Sequence, residues 1–276
     1  MTAERSIDAD GVVAGAAVRH GTGVNSNRAF PTDAYPAHID PFVLFERFYI
    51  DPDTGFPMHP HRGFEIVSYM LDGGMAHADS LGVEHTARVG GAMRITTGSG
   101  IRHAEFPAGD AACNGLQLWV NLSRAEKEVD ADYADASSEE LPTTSVNGAT
   151  VTTVVGDGSP LSLQTPMEYL DARVTDEWTW TVPAGWAGFI YGVTGDGTVG
   201  GDAFGEGDVY PIESDPADRQ ITVVAAGDSD TLATDPNETR NATEPNTRTA
   251  DAPLRVVAVA GRPHNEPIRL QGPFVL

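Results

Sequence analysis

The sequence predicts an all-β chain, a sandwich or barrel with few short helices. Three observations lead there. Seven short runs rich in β-branched and aromatic residues recur along the chain. Gly, Pro and Asp punctuate them, with 30 glycines in 276 residues to supply tight turns. Helical periodicity is confined to one short stretch.

The predicted strands are Phe64–Met70, Met93–Thr96, Gly115–Val120, Thr150–Val155, Trp178–Val182, Gly188–Val193 and Gln220–Val224. Each is short, apolar and bounded by turn formers. The helical candidate is Ser123–Glu128, where Ser123 can cap and Glu126 sits three residues on. A boundary is expected near residues 125–147, because Ala125–Leu141 is acidic and poor in large aliphatics. The expected units are 1–135 and 143–276. A sparse echo joins them: Val89–Met93 and Phe204–Tyr210 both carry a Gly-x-Gly or Gly-Gly turn before a strand. Asp228–Asp251 is polar, holds two prolines and almost no core formers, and reads as a mobile surface loop.

Composition narrows the function. Formal net charge is −23, so nucleic acid and anionic membranes are repelled, and no direct binding to either is expected. No apolar run approaches the roughly 20 residues of a membrane span, and the N-terminal residues lack the pattern of a signal peptide. Cys113 is the single cysteine, which suits a reducing cytoplasm and a cytoplasmic location. A monomer is the expectation. Lys127 is the only lysine among 17 basic residues, and the acid is dispersed. An acidic surface nearly free of lysine reads as halophilic adaptation, because high salt screens self-repulsion.

Two short words carry the chemistry: His59-Pro60-His61 and His103-Ala104-Glu105. On a strand, residues i and i+2 share a face. If both words lie on strands that meet, His59, His61, His103 and Glu105 converge into a mononuclear metal site. Imidazole and carboxylate together suit Fe(II), Mn, Ni, Cu or Zn, and four ligands leave open positions for a substrate and O2. Pro60 cannot donate to a ladder and marks a strand edge or end, as at a barrel mouth. His85 reads as a turn or exposed residue, and His77 as a lesser candidate for a place near the metal. Glu65, Gln117 and backbone carbonyls are candidates to hold the ligand imidazoles. Met70, Met93 and Trp119 are candidate apolar walls.

These words sit in longer ones. Gly55–Gly73, Thr97–Glu105, Gly115–Leu122 and the upstream Asp40–Glu46 resemble the signature of the pirin family, as do Ala260–Pro267 and Gln271–Val275. The resemblance is dense over residues 40–122 and sparse over 143–250. It implies a bicupin, two antiparallel jelly-roll β-barrels packed together. Iron would be held by His59, His61, His103 and Glu105 in the N-terminal barrel, and the C-terminal barrel would hold no metal. His264 is the only histidine after His103, in keeping with that. Family members include enzymes that open quercetin with O2 and proteins that modulate transcription factors. Two functions follow as expectations. One is an Fe(II)-dependent dioxygenase of the quercetin 2,3-dioxygenase type, acting on a small flavonol-like aromatic, with Glu105 as catalytic base. The other is a redox-sensing metal-binding regulator of a protein partner. A barrel that stores metal without chemistry is a third. The chain departs from the family pattern in its polar 228–251 segment and in stopping at Leu276.

Salt adaptation has a direct test. The melting temperature should fall as NaCl is lowered from the molar to the millimolar range, and a flat profile would remove the halophilic reading.

Overall fold

The computed structural model describes residues 11–227 and 253–276. The predicted surface loop 228–251 therefore lies outside the described residues. Every predicted strand is present. The first half runs β1 (Val13–Ala14), β2 (Ala16–Arg19), β3 (Val24–Phe30), β4 (Phe42–Ile50), β5 (Phe56–His61), β6 (Phe64–Asp72), β7 (Gly74–Asp79), β8 (Glu84–Arg88), β9 (Ala92–Thr96), β10 (Ile101–Pro107), β11 (Cys113–Asn121) and β12 (Asp132–Ala136). The second runs β13 (Thr143–Val146), β14 (Ala149–Val155), β15 (Met167–Val174), β16 (Glu177–Val182), β17 (Ala187–Thr194), β18 (Asp196–Val199), β19 (Asp202–Gly205), β20 (Asp208–Ile212), β21 (Arg219–Ala225) and β22 (Leu254–Gly261). A final hairpin joins β23 (Leu270–Gln271) to β24 (Phe274–Val275).

Each half is an open antiparallel barrel made from a seven-stranded and a four-stranded sheet. In the first, the order β12-β9-β6-β11-β4-β3-β2 faces β5-β10-β7-β8; in the second, β1-β20-β17-β22-β15-β14-β13 faces β16-β21-β18-β19, so β1, from the N-terminal part of the chain, crosses over to pair with β20 of the second. The chain is thus an all-β bicupin. The predicted helix at Ser123–Glu128 is absent, and those residues form successive turns. The Ser123 hydroxyl does donate to the Glu126 carboxylate at 2.7 Å, as a capping pair should. An acidic stretch with no apolar stripe has no face to bury, so capping alone does not propagate a helix.

The two seven-stranded sheets pack face to face. Phe189 of β17 sits among Phe30, Phe42 and Phe45, with ring centroids 4.9, 5.7 and 4.8 Å away. Offset and edge-on contacts of this kind add to the area buried. One charged group lies inside the same seam. Asp171 is fully buried; it accepts two bonds from Arg255, at 2.9 and 2.8 Å, and one from the Tyr69 hydroxyl at 2.8 Å. A bidentate guanidinium and a phenol satisfy a carboxylate that burial would otherwise penalise. Glu65 ties the halves at a second point, accepting from the Gln164 amide at 2.9 Å.

Asp171→Ala leaves Arg255 and Tyr69 unpaired in that seam. It should lower the unfolding free energy by about 3–5 kcal/mol, read by urea unfolding at fixed salt. A loss under about 1 kcal/mol would mean that the seam does not depend on this pair.

Candidate metal centre

Strand β10 is the middle of the site. It pairs antiparallel with β5 on one side and β7 on the other. The register sets His103 opposite His59 and Ile101 opposite His61. On the other side it sets Glu105 opposite His77 and His103 opposite Asp79. A bulge between His103 and Glu105 shifts the β5 pairing, so Glu105 faces Phe56 there rather than a histidine.

His59, His61 and His103 each bring a ligand nitrogen within 4.8 Å of the others. The Nε2 atoms of His59 and His103 are 3.1 Å apart. Glu105 falls in a second group of the same kind, with His103 and His77. The sequence-predicted residues therefore meet in two overlapping sets that share His103. His77, a lesser candidate from the sequence, stands at the hinge of the second set. His85 is half-exposed on β8 beside Asp135; it pairs across the strands with His77 but belongs to neither set.

Backbone carbonyls hold two of the imidazoles. The Pro57 carbonyl accepts from His59 Nδ1 at 2.8 Å, and the Pro273 carbonyl from His61 Nδ1 at 3.1 Å. A carbonyl only accepts, so the proton sits on Nδ1 and the lone pair on Nε2. His77 is held the other way round. Its Nε2 donates to Asp79 at 3.1 Å, both side chains are fully buried, and the ring stacks on Tyr133 at 4.9 Å. Asp79 is itself pinned, because its other oxygen accepts from the amides of Leu81 and Val83. Of the predicted supports, Glu65 serves Thr96 and Gln164 instead, at 2.7 and 2.9 Å. Gln117 accepts from the Trp119 indole at 3.1 Å. Trp119 packs against the cluster, its ring 5.2 Å from that of His61. Met70 and Met93 are closed into a core with Phe48, Met75 and Cys113 and line no open space.

Burial keeps the imidazoles neutral. It pushes His103 down to about 2, with His61, His59 and His77 adding repulsion. It pushes His61 down to about 4 against the pull of the Pro273 carbonyl, and lowers His59 as well. Burial drives the Glu105 carboxyl up to about 7, eased by Gln117. Glu105 Oε1, His103 Nδ1 and His77 Nδ1 are buried with no hydrogen-bond partner. Unpartnered polar atoms on converging neutral imidazoles and a carboxylate fit a divalent transition ion.

Comparison with known proteins agrees with the geometry. The family model described as Pirin matches residues 23–120. Rat pirin is 37% identical over 86% of this chain and 77% of its own. The chain belongs to the pirin family. Another pirin relative, a pirin-like protein of tomato, is 35% identical over 87% of this chain and 76% of its own. Among solved structures, the Geobacillus kaustophilus protein GK1651 superposes with a TM-score of 0.77 at 25% identity, covering 94% of this pirin and 97% of that chain. Quercetin 2,3-dioxygenase of Acinetobacter baumannii shares the fold at a TM-score of 0.76 and 22% identity, over 96% and 90% of the two chains. The bacterial pirin YhhW of Escherichia coli, solved with nickel(II), shares it at 0.66 and 20%, over 90% and 95%.

A buried carboxyl raised from its ordinary 4.5 to about 7 favours the folded state while neutral. That contribution is complete at low pH and is lost as pH rises from about 4.5 through 7. In metal-free protein, Glu105→Gln should therefore gain melting temperature relative to the parent as pH goes from 5 to 8.5. A difference independent of pH would contradict the burial reading.

Proposed function

We propose that this pirin is a mononuclear metal-dependent dioxygenase of the quercetin 2,3-dioxygenase type, with Fe(II) as its ion. His59, His61, His103 and Glu105 are the proposed ligands, carried by the unit that ends near residue 135. The observation that carries the reading is the set of three neutral imidazoles whose nitrogens converge within 4.8 Å, beside a buried carboxylate whose Oε1 lacks a partner. Nickel in YhhW supports transition-metal binding by this fold; Mn, Cu and Zn also suit the donor set.

A divalent ion bound there supplies Lewis acidity and a redox partner for O2. The chain supplies the rest. Pro57 and Pro273 fix the tautomers of His59 and His61, so both donor nitrogens are ready without rearrangement. His59 is the half-exposed member, and Pro57 and Met58 beside it are exposed, so the approach lies on that side. An apolar rim of Phe56, Pro57 and Met58 suits a flat aromatic with adjacent hydroxyl and carbonyl oxygens. Glu105 Oε1 has no competing donor and is the proposed acceptor of the substrate hydroxyl proton. Trp119 and Phe64, with rings 4.3 Å apart, back His61 and exclude water behind it. No helix of the described residues is long and apolar enough to cross a membrane. The proposed setting is a reducing cytoplasm, which suits the buried thiol of Cys113.

Protein purified without chelator should carry about one transition ion per chain, lost in His103→Ala. Iron-loaded protein in air should bleach the absorbance of quercetin, and the same protein without O2 should not. Bound metal with an unchanged flavonol would overturn the dioxygenase and favour the redox-sensing regulator; no bound metal would overturn both.

A further inference from the structure

We propose that the final hairpin, residues 268–276, is a positioning element of the metal centre, and that Lys127 holds it in place. The proposal rests on the reading of His61 as a ligand.

The chain leaves the second half after β22 and crosses back over the first. The His264 and Asn265 amides donate to Asp40 at 3.1 and 2.7 Å. The path then reaches the end of β5. There the Val275 amide donates to the Arg62 carbonyl at 3.0 Å, and Phe274 bridges to Arg62 in parallel. This docking brings the Pro273 carbonyl to His61 Nδ1. The bond that sets the tautomer of His61 therefore comes from a residue 212 positions away. Among the described residues His61 has no other hydrogen bond, so nothing there in the first half replaces it.

Two features seat the hairpin. Val275 is 1% exposed and packs with Val43, Phe64, Ile66, Ile95 and Ile101, the core behind the ligand strands. Lys127 then saturates its ammonium across the junction. Nζ donates to the Gly63 carbonyl at 2.7 Å, to Asn121 Oδ1 at 2.5 Å and to the Val275 carbonyl at 3.2 Å. Gly63 is next but one to His61, has φ of +85°, and has no room for a Cβ against the Val275 carbonyl. One cation thus joins the strand end beside the ligand, the end of β11, and the hairpin.

The geometry also explains a sequence fact. Every other basic residue is arginine. A guanidinium spreads its donors over a planar fork, whereas an ammonium directs three donors from a single atom. Three oxygens around one point demand lysine.

The test uses nickel(II) as the probe on full-length metal-free protein. Its affinity is measured by calorimetry, alongside hydrogen exchange of the Val275 amide and melting temperature. Lys127→Met should speed Val275 exchange and weaken nickel binding by about ten- to a hundredfold. Lys127→Arg should not restore either. Val275→Asp ejects the hairpin while keeping the Lys127 side chain with its Gly63 and Asn121 acceptors, should weaken nickel to the same degree, and serves if the Lys127 variants fail to fold. Rapid Val275 exchange with nickel affinity within about twofold of the parent would overturn the proposal and leave the hairpin a purely structural strap. Unchanged protection of Val275 in Lys127→Met would remove Lys127 as the anchor. Absence of nickel binding in the parent would instead overturn the metal reading itself.

Discussion

The register of β10 between β5 and β7 is the constraint on which the site depends. One central strand carries His103 and Glu105 on the same face, and each neighbour supplies a histidine directly opposite one of them. A slip of one residue would turn both side chains outward. The bulge after His103 then divides the cluster, leaving Glu105 with His77 and His103 rather than with His59 and His61. Strand pairing sets which imidazoles stand opposite one another, the placement a preorganised site needs.

Neutrality follows from the same packing. Strands on both sides exclude water from the cluster, so charge on His59, His61 or His103 is penalised by desolvation and by neighbouring charge. The cost of this arrangement is a set of buried polar atoms without partners, on Glu105, His103 and His77. In a core built for stability alone such atoms would be paired or replaced. Arg94 Nε is the other such atom of the first barrel among the described residues, so the unpartnered atoms concentrate at this cluster.

The second barrel contributes without lying near the cluster. Its seven-stranded sheet buries Phe189 among the phenylalanines of the first, and its Asp171–Arg255 pair receives the Tyr69 hydroxyl across the seam. Both fix where the chain emerges after β22. From there it returns across the first barrel to His61.

Much of this was legible in the letters. Period-2 runs with β-branched and aromatic residues marked the strands, because a half-buried pleated surface selects those residues locally. His-x-His and His-x-Glu spoke for metal because alternation puts i and i+2 on one face whatever the fold. Sequence reasoning overreached at Ser123–Glu128, where a capping pattern was read as a helix although no apolar stripe followed. The sequence signal for the seating of His77 is Asp79 two residues on, a carboxylate on the same strand face that holds a ring nitrogen. What the sequence by itself determined were the local terms: strand identity, ligand-type spacing, and a strongly acidic charge balance. Only the tertiary structure decided which histidines share a point, that Glu105 sides with His77, and that Pro273 reaches His61. Those are contacts between residues far apart in the chain, set by pairing register and by packing of one sheet on another, and no local propensity encodes them.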